Sequence, residues 1–267
     1  MNRIVESLKL LAGKNEKALA LFLTAGYPGL EETVPLVLAL ERAGADLIEI
    51  GMPFSDPIAD GPIIQMSSTI ALRNGVTLGT VLDIVRRIRA SSEIPVALMG
   101  YMNPIMRFGT SVFFREAGRA GVDGVILPEL PLEESPRVGA EVKASGLSHI
   151  HLVTPTSPPE RIRAIDAAST GFLYCVSTTG VTGSVAGGAS AEYLSRVKSL
   201  ASLNPVLVGF GIRTPEDAAK YAAATDGVIV GSALLERISK GESKGALCAW
   251  VKSLKAALHA GPLPSRS

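Results

Sequence analysis

Cysteine is scarce in this 267-residue chain: Cys175 and Cys248 are the only two, and they lie far apart. No close pair exists of the kind a metal knuckle or redox motif needs, so both are expected to serve as small buried apolar residues. Histidine numbers three; His149 and His151 would share a strand face, but no acidic or cysteine cluster accompanies them, and no metal site is expected. Excess charge is missing too. Lys+Arg 26 against Asp+Glu 25 leaves +1, which gives no field to recruit nucleic acid or an anionic membrane, so partners should be small molecules or proteins. Although 47% of residues are hydrophobic, the apolar runs are short and broken by Gly, Pro or charge, and none could span a bilayer. The first thirteen residues carry Glu6 and Lys9 among apolar ones, as an amphipathic helix and not a signal peptide would, and a cytoplasmic location is expected. No linker-like stretch divides the chain, so residues 1–260 should form one domain, with 261–267 (Gly-Pro-Leu-Pro-Ser-Arg-Ser) as a frayed tail.

What is present is a repeating unit of a short β-branched run, a Gly/Pro loop and a longer helix-like segment. Strands are expected at Ala18 to Thr24, Asp46 to Ile50, Pro95 to Gly100, Gly124 to Leu127, Ile150 to Val153, Phe172 to Val176, Pro205 to Gly209 and Gly227 to Val230. Helices are expected at Thr77 to Ala90, Phe113 to Ala120, Leu132 to Ser145 and Pro215 to Ala224, with a start signal at Thr214-Pro215 and stop signals at Gly121 and Gly146. Arg86, Arg87 and Arg89 lie on a helix whose Val81, Leu82, Val85 and Ile88 point inward, and read as a solvated face. The fold class is α/β, a (β/α)8 TIM barrel with an extra N-terminal helix; a doubly wound open sheet is the competing architecture. Glycine loops after the seventh strand (Gly209-Phe-Gly211) and the eighth (Gly231-Ser232) tilt the choice, because barrels often bind phosphate there.

Glu49 stands alone among apolar neighbours in the second strand, and the following loop carries Asp56 and Asp60 between Pro53, Pro57 and Pro62. An ionised carboxylate is costly in such a strand, so Glu49 is either paired with a buried cation or holds a proton near neutral pH. Asp60, in a polar turn, has reason to stay ionised. A third glycine-rich segment, Thr178 to Ser190, has almost no bulky side chain and suits either a closing lid or a plain surface loop.

Together, Glu49-Ile-Gly-Met-Pro-Phe-Ser-Asp-Pro-Ile-Ala-Asp-Gly-Pro62, Gly180-Val-Thr-Gly183, Gly209-Phe-Gly-Ile212 and Gly231-Ser232 resemble the α subunit of tryptophan synthase. The resemblance implies cleavage of a small phosphorylated indole, indole-3-glycerol phosphate, to indole and glyceraldehyde 3-phosphate, with no metal or organic cofactor in this chain. It implies Glu49 as acid and base, Asp60 as acceptor of the indole N–H, and Tyr174 near both. Phe22, Tyr101, Leu127 and Phe210 would line the indole pocket. Gly183, Gly211, Gly231 and Ser232 would cradle the phosphate, while Asp56 and Thr182 would link the lid to the subunit contact. A β subunit carrying pyridoxal phosphate is the implied partner, in an α2β2 heterotetramer. One departure is Glu129 in Leu127-Pro-Glu-Leu-Pro131, where the family usually has Asp; it is expected to alter partner contacts and not to touch the acid and base. The rivals are another phosphate-binding barrel enzyme, a free-standing lyase of the same substrate, and a regulatory subunit without activity.

Overall fold

Short apolar runs with no room for an amphipathic helix become strands here, and all but one of their residues are buried, as parallel strands covered by helices require. The structure is a computed structural model and describes residues 2–176, 190–209 and 211–259. The strands are β1 (Ala18–Thr24), β2 (Leu47–Gly51), β3 (Val96–Met99), β4 (Gly124–Ile126), β5 (Ser148–Val153), β6 (Leu173–Val176), β7 (Val206–Gly209) and β8 (Gly227–Val230). Each pairs in parallel with the next, and β8 pairs with β1, so the sheet closes into a barrel and the open-sheet alternative falls.

Among the described residues, twelve helices surround or close it: α1 (Arg3–Gly13), α2 (Thr33–Arg42), α3 (Pro62–Arg73), α4 (Leu78–Arg89), α5 (Met102–Phe108), α6 (Thr110–Ala120), α7 (Ser135–Ala144), α8 (Pro159–Ala168), α9 (Ala191–Leu200), α10 (Pro215–Ala222), α11 (Ser232–Ser239) and α12 (Lys244–His259). The long gap after the second strand holds two of them, α3 and α4. Four of the expected helices appear with shifted ends; α6 gains a turn at its start and α7 loses one.

At the N-terminal end the sheet is tied by a repeated device. Leu19 N–H donates to Asp46 (2.7 Å), Val96 N–H to Asp123 (2.9 Å), His149 N–H to Thr170 (2.8 Å) and Val206 N–H to Asp226 (2.8 Å). In each case a side chain just before an even-numbered strand satisfies the amide of the odd-numbered strand before it, where the ladder has no carbonyl to offer. Below this ring, Asn2 caps α1 by accepting from Ile4 N–H (3.1 Å) and donates to the Asp123 carbonyl (2.6 Å). Ile4 is thereby held fully buried under the barrel, against Gly124 and Gly171.

One expectation is corrected here. Arg86 and Arg87 are exposed, but Arg89 turns inward and pairs with the buried Asp123 at 2.7 Å, also donating to the Ile94 carbonyl (2.6 Å). As the last residue of α4 it reaches past the helix end, where its long stem is covered and its head finds the ring of acids.

Candidate active site

Glu49 is the central residue of β2 and faces the barrel interior, level with Phe22 of β1 and Ala97 of β3. It is fully buried, and neither carboxylate oxygen has a hydrogen-bond partner among the described residues. A phenyl ring and a methyl group beside it offer nothing to stabilise a charge, and desolvation lifts its pKa from 4.5 to about 8. Of the two sequence readings, the protonated acid is the one this geometry favours.

Asp60 comes from the turn between β2 and α3, where its N–H donates to the Pro57 carbonyl (3.0 Å) and its own carbonyl accepts from Gln65 Nε2 (2.8 Å). The middle of α3 is anchored to the barrel by a 2.6 Å contact between Ser67 Oγ and Thr24 Oγ1. The Asp60 side chain is 8% exposed, and burial raises its pKa to about 6 against the opposing pull of a hydrogen bond from Tyr101, with the charge of Glu129 adding to the rise. The Tyr101 hydroxyl also accepts the Ala59 N–H at 3.0 Å, so it pins the turn from the far side.

Tyr174 lies inward on β6. Burial raises its pKa well above the usual phenol value, and the charges of Glu49 and Asp60 raise it further, so the three groups act on one another. Its position depends on Gly209: a β-carbon there would sit 2.5 Å from the Tyr174 hydroxyl. Gly51 plays the same part for Phe22, whose ring would be 2.5 Å from an added β-carbon. The sequence reading places Gly51 in the carboxylate loop and Gly209 in a phosphate-binding glycine loop, and misses that both make room for aromatic side chains; glycine at the C-terminal end of a barrel strand is the available signal.

Phe22, Asp60 and Tyr101 line one cavity together with Met52, Ile64, Met99 and Pro128. Leu127 is buried just past β4 and does not border that cavity; its neighbour Pro128 takes the place expected for it. Asp56 is exposed in the same loop as Asp60 and accepts from Ser55 Oγ (2.5 Å). Thr182, Gly183 and Phe210, with the proposed lid and the tail, lie outside the described residues.

The two helices beyond β7 and β8 differ at their starts. In α10 the Thr214 hydroxyl accepts from Asp217 N–H (3.2 Å) and Asp217 accepts from Thr214 N–H (3.0 Å), closing the end with its own side chains. Among the described residues no side chain caps α11, whose N-cap is Gly231 and first residue Ser232. Gly211, in the loop after β7, holds a φ of +82° that only glycine adopts easily. A helix start without a side-chain cap is the kind of end that favours an anion.

Glu129 requires a correction. It was expected to leave the acid and base untouched, yet its charge raises the pKa of both Asp60 and Tyr101. The side chain is long enough to reach α5, where it accepts the Met102 N–H at 2.5 Å. By contrast, His149 and His151 face the helical layer, with rings 4.1 Å apart, and burial lowers their pKa values to about 3 and about 4. Another cavity, of about 660 Å³, opens at the N-terminal end beside Leu8, Asn15 and Lys17, but no unpartnered buried acid borders it among the described residues.

Comparison with known proteins agrees with this geometry. Residues 8–259 match the family model described as tryptophan synthase alpha chain. The chain is 46% identical over 260 residues to the tryptophan synthase alpha chain of Thermoanaerobacter sp. (strain X514), covering 97% of this chain and 98% of that one. It is 46% identical to the corresponding chain of Geotalea uraniireducens, covering 97% and 99%. Among solved structures, tryptophan synthase subunit alpha from Legionella pneumophila str. Paris superposes with a TM-score of 0.87 at 39% identity, covering 97% and 98%. A chain of Mycobacterium tuberculosis tryptophan synthase does so with 0.90 at 38% identity, covering 97% and 99%.

Proposed function

The chain belongs to the tryptophan synthase alpha chain family, and from that premise we propose that Glu49 and Asp60 divide the work of its reaction. The protein is a carbon–carbon lyase of tryptophan biosynthesis that cleaves indole-3-glycerol phosphate to indole and glyceraldehyde 3-phosphate. The observation that carries the assignment is the fully buried Glu49 with both oxygens unpartnered among the described residues and a raised pKa. As an acid at neutral pH, Glu49 delivers its proton to indole C3, which turns the ring into a cation at the N–H. Asp60, with its lower pKa, is ionised and accepts that N–H, so the positive charge builds beside a fixed anion. The Glu49 carboxylate then takes the proton of the side-chain hydroxyl. The electron pair of that O–H bond becomes the aldehyde C=O as the carbon–carbon bond breaks, and the carbon–carbon pair flows into the ring, neutralising its cation to give indole. Tyr174 stays a neutral phenol beside both groups.

In this reading Phe22 and Tyr101 form walls for the indole, and Gly211, Gly231 and Ser232 hold the phosphate on the open end of α11. Phe210, Gly183 and Thr182 would complete the pocket, cradle and lid. All the chemistry is proton transfer, so the reading assigns no metal or organic cofactor to this chain and leaves pyridoxal phosphate to a β subunit. Docking of that partner, in a heterotetramer of two α and two β chains, fits the exposed apolar residues Ile58, beside Asp56, and Met106, Phe108 and Val112 on α5 and α6. No described helix is long and apolar enough to cross a membrane.

The test is indole release from indole-3-glycerol phosphate by the purified chain, alone and with a tryptophan synthase β subunit. Slow release that rises sharply with the partner is expected; fast release alone would make it a free-standing lyase, and none in either case would remove the substrate assignment.

A further inference from the structure

Three loops meet at Tyr101, and the last contact among them is made by a residue the reaction above does not use. Tyr101 is the N-cap residue of α5, extended at φ −115° and ψ 148°, and its side chain makes no cap of its own. The cap comes instead from the loop after β4: Glu129 Oε1 accepts the Met102 N–H at 2.5 Å. One residue back, the Tyr101 hydroxyl bonds both the Ala59 N–H and the Asp60 carboxylate. Its ring is steadied by Phe54 at a centroid distance of 5.3 Å.

We propose that Glu129 is a positioning residue for the cleavage, clamping the start of α5 so that Tyr101 holds Asp60 where the indole N–H must arrive. The proposal rests on the assignment of Asp60 as the acceptor of that N–H. Distances support a chain of contacts running from Glu129 through Met102 and Tyr101 to Asp60, each link a hydrogen bond or a peptide unit. A shorter acidic side chain would have to draw the two loops together to make the same cap.

The other oxygen of Glu129 gives the residue a second effect. Oε2 is buried and has no hydrogen-bond partner among the described residues, so its charge is poorly screened and acts on its surroundings. Asp60 is raised in part by that charge, and Tyr101 likewise. A carboxylate with a higher proton affinity is a stronger acceptor for an N–H that becomes acidic as C3 is protonated. Glu129 thus fixes Asp60 in space and strengthens it as a base.

The experiment is steady-state cleavage over pH 5 to 9 by the full-length chain carrying Glu129→Gln or Glu129→Ala, with Asp60→Asn as control. Glu129→Gln keeps an oxygen for the Met102 N–H and removes the charge, so the acid limb of kcat/KM should move to lower pH at unchanged Tm. Glu129→Ala loses the clamp as well, and kcat should fall roughly ten- to a hundred-fold with little change in KM, as a small misplacement of a catalytic group does. Wild-type kcat in Glu129→Ala would overturn the clamp, and a wild-type pH profile in Glu129→Gln would overturn the effect on Asp60 whether or not the alanine variant folds. An inactive Asp60→Asn alongside wild-type-like Glu129 variants would sink this inference alone, whereas an active Asp60→Asn would sink the acceptor reading beneath it.

Discussion

Glu49, buried with no hydrogen-bond partner among the described residues, is the residue on which the proposed reaction and its response to pH turn. Glu49→Gln keeps the shape and loses the titratable proton, so kcat for indole release should drop by about 10² to 10⁴ while KM changes little. Cleavage needs Asp60 ionised and Glu49 protonated, so kcat/KM should rise through about pH 6 and fall through about pH 8. The same group affects stability. Its pKa is raised on folding, so the contribution of its bound proton is complete below pH 4.5 and is lost as pH climbs through about 8. Denaturant titrations should show wild type weakening across that window and Glu49→Gln weakening less. The histidine pair has the opposite sign: lowered on folding, it contributes stability that is present above 6.5 and is lost as pH falls through about 4 and then about 3. Glu49 and Asp60 were legible in the sequence because carboxylates amid apolar and proline-rich neighbours are conspicuous. Glu129 was legible only as a departure, since nothing in a sequence shows how far a side chain reaches across to the next loop.

Between elements, the information sits at the two ends of the barrel. The strands and their order could be read from short apolar runs, because burial on both faces leaves a continuous signal. The aspartates at the base could not, since Asp46, Asp123 and Asp226 look like any polar residue before a strand until the neighbouring amide is seen. Asp123→Ala should therefore cost more than its plain appearance suggests. It strands Arg89 and frees the Val96 N–H, and a loss of about 3 to 5 kcal/mol is expected from urea unfolding. At the catalytic end, Gly209→Ala should displace Tyr174, lowering stability by about 1 to 3 kcal/mol and kcat with it. The unequal starts of α10 and α11 were half visible: the capping box at Thr214 was signposted, whereas the open end at Gly231 is recognisable only by what fails to cap it.

For the molecule as a whole, the proposed phosphate cradle at the start of α11 has a direct readout: inorganic phosphate or glycerol phosphate should raise Tm by mass action. No shift at saturating ligand would remove the cradle from Gly211, Gly231 and Ser232. The single barrel and its N-terminal helix were both legible, but the sequence did not disclose what that helix is for. Ile4, buried against Gly124 and Gly171, stops the lower end of the barrel. Among the described residues the lower end is therefore stoppered, and in the proposed reaction the indole leaves by the end at which its precursor entered. A partner seated on that upper end would stand in the path of the departing product before any affinity between the two is considered.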